Sequence, residues 1–95
     1  MFLGIYRFEG DSARLRQAYD RMMEQIPHDG LHLHICVADA NGLSIYDTCP
    51  SKEIFQSFAI SPGFNGLMKA SGLPLPKVTP MGEVHAAFVS GKRVC

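Results

Sequence analysis

Residues 30–49 read GLHLHICVADANGLSIYDTC. Leu31, Leu33, Ile35 and Val37 alternate with His32, His34, Cys36 and Ala38. That period of two predicts a strand. Asn41-Gly42 is a hairpin signal, because both residues tolerate positive φ, and LSIYDTC is the returning strand. With a two-residue Asn41-Gly42 turn, facing positions sum to 83, and with a four-residue loop they sum to 81. Either way His32, His34 and Cys36 share a face with Ile45, Asp47 and Cys49. Leu31, Leu33, Ile35 and Val37 then share the other face with Tyr46 and Thr48. A three-residue loop with a bulge would reverse this, since one residue of register flips every partner.

Outward from the hairpin the elements follow in order. FLGIYRFE (residues 2–9) is rich in aromatic and β-branched residues and predicts a first strand, broken by Gly10-Asp11. Asp11 or Ser12 can cap a helix over SARLRQAYDRMMEQI, where Leu15, Ala18, Tyr19, Met22, Met23 and Ile26 form one apolar face. Pro27 ends it. After the hairpin, Pro50 stops the strand and Ser51 caps a second helix, SKEIFQSFAI. A short third helix follows in SPGFNGLMKASG, with Ser61 as cap, Pro62 as first residue and Gly72 as stop. LPLPKVTP is extended, GEVHAAFV is the last strand, and SGKRVC (residues 90–95) is a polar tail after a single domain over residues 1–89.

The order β-α-β-β-α-(α)-β predicts an α+β, ferredoxin-like fold. Its one antiparallel sheet has strand order 4-1-3-2, with the helices on one face. The other face is bare, and in a 95-residue chain a second copy is the simplest cover. Nine basic and nine acidic residues leave no net charge and no basic stripe, which argues against nucleic acid and anionic membrane as partners. No apolar run approaches the roughly 18 residues of a membrane span, and MFLGIYRFEG lacks the basic region of a signal peptide. Cys36, Cys49 and Cys95 are an odd number with no CxxC pair, against a disulfide scaffold or zinc knuckle. The cytoplasm is the expected location.

IYDTCPSKEIFQSFAISPGF, followed by GLPLPKVTPMGEVHA, resembles the dimeric α+β barrel superfamily, in which antibiotic-biosynthesis-type monooxygenases sit. The resemblance covers nearly the whole chain, and its motifs are loose. It implies a homodimer joined through its sheets and a cavity for a small molecule. Where relatives often carry Trp at the end of the third strand, this chain has Cys49. In cofactor-free oxygenases of that superfamily, a deprotonated phenolic or enolic substrate reacts with oxygen, with no metal or flavin.

Several chemistries remain open from the residues. Taking the aliphatic set as the helix-facing core, His32, His34 and Cys36 face away from the helices into a barrel interior formed with the second subunit. There Asp47 lies opposite or diagonal to His34 and orients it as a general base. Ile45, Cys49, His85 and Tyr6 join the binding surface. The first strand is apolar on both faces, so its phase is left undetermined. His-x-His with His85 is an alternative metal set, although the acidic partner of a cupin-type pattern is absent. Cys36 two residues from His34 is a poor nucleophile pair. A non-catalytic binding module or dimeric scaffold is the remaining alternative.

Overall fold

Each helix begins where a short polar side chain can satisfy its free N–H groups. Asp11 accepts from the Arg14 N–H at 3.0 Å, Ser51 from Ile54 at 3.2 Å and Ser61 from Phe64 at 3.2 Å. The computed structural model describes residues 1–95. Strand β1 (Phe2–Glu9) leads to α1 (Ser12–Met23), then β2 (His34–Asp39) and β3 (Gly42–Cys49). Helices α2 (Lys52–Ala59) and α3 (Pro62–Ser71) follow, then β4 (Lys77–Glu83) and a small hairpin of β5 (Phe88–Val89) and β6 (Lys92–Arg93). Pro62 opens α3, and Gly72 ends it at φ 93°, a left-handed position that favours glycine.

The main sheet has the order β2-β3-β1-β4, every neighbouring pair antiparallel. This is the expected ferredoxin-like α+β arrangement. The β2–β3 register pairs His34 with Asp47, Cys36 with Ile45 and Asp39 with Gly42. The turn is therefore Ala40-Asn41, one residue earlier than Asn41-Gly42. Asp39 Oδ1 accepts from the Asn41 N–H at 2.8 Å and tightens it there. The sum of facing positions is still odd, so His34 and Cys36 do share a face with Ile45 and Asp47.

That face is turned the other way from the expectation. β1 pairs Phe2 with Cys49, Tyr6 with Ile45 and Phe8 with Leu43. Phe2, Tyr6 and Phe8 are buried together with Leu43, Ile45, Leu15, Ala18, Met22, Phe55 and Met68 beneath the helices. His34, Asp47 and Cys49 are carried to that side by register. Ile35 and Val37, expected in the core, lie on the outer face at 58% and 44% exposure beside Tyr46 at 37%. The reason is Arg7. β1 alternates Phe2, Gly4, Tyr6, Phe8 with Leu3, Ile5, Arg7, Glu9, and only the first set can be buried without burying charges. Arg7 instead meets Asp39 at 2.7 Å, Glu9 at 3.0 Å and Ser44 at 3.0 Å on the outer face. Its guanidinium and the Asn41 N–H hold the Asp39 carboxyl down to about 2.

The last strand is also displaced. It spans Lys77–Glu83, not residues 82–89, because pairing starts once the chain leaving α3 reaches Arg7 and stops when β1 ends at Phe2. Pro80 is tolerated since β4 is an edge. His85 and Ala87 fall beyond the sheet. Residues 90–95, expected as a tail, contain the turn Ser90-Gly91 (φ 51° and 79°) and the returning strand β6.

Gly4 has a packing role. The Phe55 ring lies against it, 5.5 Å from the Phe2 ring and 5.6 Å from the Tyr6 ring, and a Cβ at Gly4 would clash with the Cε2, Cζ and Cδ2 atoms of Phe55. Gly4→Ala is expected to cost about 1–3 kcal/mol of stability, read as a lower urea midpoint at unchanged slope. A wild-type midpoint would mean that Phe55 does not rest on bare backbone.

Candidate functional site

The pairing of His34 with Asp47 across β2 and β3 brings imidazole and carboxylate together, with Nδ1 and Oδ1 3.2 Å apart. Each side chain is 14% exposed. From α1, Tyr19 reaches His34 Nε2 at 2.7 Å. A carboxylate only accepts, so Nδ1 carries the proton of the neutral ring and donates to Asp47. Nε2 is then the acceptor, and the Tyr19 hydroxyl donates to it. Burial, with the negative charges nearby, pushes the Tyr19 phenol up to about 12, so it holds its proton. The result is a directed chain, Tyr19 to His34 to Asp47. It leaves both imidazole nitrogens partnered and Asp47 Oδ2 without a hydrogen bond from the chain.

Asp47 and His34 line a cavity of about 60 Å³ between the sheet and the helices. Tyr6 and Ile45 come from the sheet, Met22 and Met23 from the end of α1, Phe58 from α2 and Phe64 from α3. The Phe58 and Phe64 rings are 4.4 Å apart and form one wall. An outer groove of about 290 Å³ adjoins this chamber, with Ile26, Leu31, Asp47 and Phe58 lining both. His32, Cys49, Pro50 and Ile54 are among its other lining residues. Asp47 is thus the one charged side chain shared by inner chamber and groove. Of three larger surface grooves, those of about 450 and 440 Å³ carry only Lys69 and Glu53 as charged side chains, and that of about 310 Å³ carries Arg21, whose guanidinium is already engaged by the Ser71 carbonyl, and Glu24.

Tyr6 is the second unusual group. It is 2% exposed, lines the chamber, and its hydroxyl has no hydrogen-bond partner. Burial, with the Asp47 charge nearby, pushes its phenol well above the ordinary range, so it too stays protonated. An unpaired buried hydroxyl ordinarily costs about 1–3 kcal/mol, which calls for a reason to keep it.

Of the residues singled out in the sequence, His34, Asp47, Ile45 and Tyr6 meet in the chamber, and His32 and Cys49 meet in the groove. Cys36 packs against the core beside Ile45 but does not line the chamber. Burial pushes both the Cys36 and Cys49 thiols up, away from the thiolate a nucleophile needs. His85 is exposed past the end of β4, where its carbonyl accepts from Arg93 at 3.1 Å. His32, His34 and His85 form no metal-binding group, and no three His, Cys, Asp or Glu side chains do. The chamber lies within one chain, between its sheet and its own helices. Tyr19 was legible only as part of an apolar helical stripe. Its signal is that, among those six residues, it alone carries a polar tip.

The tautomer and its support can be tested together. Imidazole ¹⁵N NMR of the neutral His34 ring should report the Nδ1–H tautomer. Tyr19→Phe should cost about 1 kcal/mol in chemical denaturation by removing a hydrogen bond. An Nε2–H ring, or no change in stability, would contradict the Tyr19–His34–Asp47 chain. No protein-family model matches this sequence, and neither a curated protein nor a solved structure matches it.

Proposed function

We propose that this chain is a small-molecule-binding protein that takes a proton from the acidic hydroxyl of a phenolic or enolic substrate, as a cofactor-independent oxygenase would. The observation that carries this reading is the Asp47 carboxylate. It is held by His34 on one oxygen, has the other oxygen open, and lies where chamber meets groove. The ligand's hydroxyl donates to Asp47 Oδ2 and transfers its proton there. The resulting electron-rich anion is the form that reacts with dioxygen. The expected roles are thereby exchanged: Asp47 is the group that accepts, and His34, with both nitrogens engaged, is the residue that positions it. A carboxylate is a weak base, so the fit is to hydroxyls acidified by a neighbouring carbonyl.

The partner in this reading is a second copy of the chain, joined through the outer sheet face. Ile35, Val37 and Tyr46 are exposed there. The face's two basic residues, Arg7 and its cross-strand partner Lys77, are matched in number by Asp39 and Glu9, both of which pair with Arg7, so a two-fold mate meets a face with no net charge from these four. Tyr6, His34 and Asp47 lie on the opposite face, so dimerisation and ligand binding act on separate surfaces.

One observation favours a second reading, a binding module without catalysis. Both His34 nitrogens are satisfied inside the chain, as in a purely structural side chain. Oxygen uptake with hydroxyquinone and 1,3-dicarbonyl probes separates the two. The oxygenase reading expects uptake that survives chelator and falls by roughly 10²-fold or more in Asp47→Asn. Probe binding without uptake supports the module. Sedimentation should give a dimer at micromolar concentration, shifted to monomer by Val37→Arg, while Asp47→Asn leaves assembly intact.

A further inference from the structure

We propose that Tyr6 and Asp47 form an enolisation site, in which the Tyr6 hydroxyl binds a substrate carbonyl oxygen while Asp47 removes a proton from the adjacent carbon. This rests on the reading of the cavity as a small-molecule site, and it adds an activity that needs no oxygen.

The two groups differ in depth. Tyr6 lines only the inner chamber, whereas Asp47 lines chamber and groove alike. A ligand entering from the groove therefore meets Asp47 first and Tyr6 last. The chamber, at about 60 Å³, has room for a carbonyl and its neighbouring carbons, and the groove of about 290 Å³ takes the rest of the molecule. The chamber walls include Met22, Met23, Phe58 and Phe64, so what enters it must be apolar apart from the groups facing Tyr6 and Asp47.

The hydrogen-bonding inventory then selects the ligand's polar end. Tyr6 offers an O–H that nothing in the chain accepts, and Asp47 Oδ2 offers a lone pair that nothing in the chain uses. An ammonium group would satisfy Asp47 and leave the Tyr6 proton unpaired. A carboxylate would satisfy Tyr6 and oppose Asp47. A carbonyl with an acidic α-hydrogen gives Tyr6 an acceptor and Asp47 a proton to take, and the enolate oxygen keeps the Tyr6 hydrogen bond.

In the step, the Cα–H bond breaks and its proton goes to Asp47 Oδ2. The electron pair left on carbon becomes the C=C bond, and the carbonyl π pair moves to oxygen. The developing negative charge receives the Tyr6 hydrogen bond, in a buried site where such a donor is worth most. Return of a proton from Asp47 to carbon closes the cycle with no oxidant or reductant. Tyr6, kept protonated by its burial, remains a donor throughout.

The experiment is hydrogen exchange at the α-carbon of 2-indanone in D₂O under anaerobic conditions, followed by ¹H NMR with the full chain. Exchange should exceed the buffer rate. It should fall by about 10²-fold or more in Tyr6→Phe, and to the buffer rate in Asp47→Asn. Tyr6→Phe loses only an unpaired hydroxyl, so its urea midpoint should equal or exceed that of the native chain. A folded Tyr6→Phe with unchanged exchange overturns the assignment of Tyr6, and exchange at the buffer rate in the native chain overturns the proposal. In the latter case, 4-nitrophenol shifting the Met22 and Met23 methyl resonances would leave the binding reading standing. No shift would remove both.

Discussion

Burial of Phe2, Tyr6 and Phe8 under the helices is the contact from which the remaining geometry follows. Each such side chain contributes about 1.5–3 kcal/mol when fully buried, and β1 is a central strand whose neighbours on both sides must adopt its phase. Once Tyr6 points to the helices, its partner Ile45 does too, and Ile45 carries Cys36 with it. Two residues along, Gly4 and Asp47 and His34 form the next row. The edge strand β2 has no vote. Its aliphatic residues Ile35 and Val37 go outward although their own pattern would place them inside.

This row explains why polar chemistry sits within an apolar layer. Gly4 supplies no side chain, and the Phe55 ring occupies the room above it. Asp47, next in the row, faces the space between α1, α2 and α3 and must find partners there. His34 provides one, Tyr19 supports His34 from α1, and the unused oxygen of Asp47 opens on the chamber. Two groups of the arrangement are left without a hydrogen bond from the chain, Asp47 Oδ2 and the fully buried Tyr6 hydroxyl. A fold-only account would favour Phe at that position, which is why the unpaired hydroxyl carries functional weight.

Assembly and chemistry are separated by the same phase. The outer sheet face carries exposed Ile35, Val37 and Tyr46, bounded by Lys77 and the Arg7–Asp39–Glu9 cluster. The inner face carries Tyr6, His34 and Asp47. Had the histidines faced outward, as their alternation with aliphatic residues suggests, one surface would have had to serve both ends.

Local chemistry in the sequence was enough to determine the strands and helices from β1 to α3 and their order, but neither the bounds of β4 nor the β5–β6 hairpin. Asp11, Ser51, Ser61, Pro62 and Gly72 act within a few residues of themselves, so caps and stops were legible. For a two- or four-residue loop the odd sum across the hairpin was legible too, and with it the adjacency of His34 and Asp47, but the choice against a bulged three-residue loop was made by the fold. What only the tertiary structure decided is nonlocal. Which side of the hairpin meets the helices depends on the β1–β3 register, set between residues some forty apart. The end of β4 depends on where β1 runs out, which removed His85 from the site. Tyr19 joined His34 because α1 crosses β2 at that row, a matter of helix placement that no spacing within either segment encodes. Periodicity states that a strand has two faces. Only the competition among all buried side chains, with Arg7 refusing burial, selects between them.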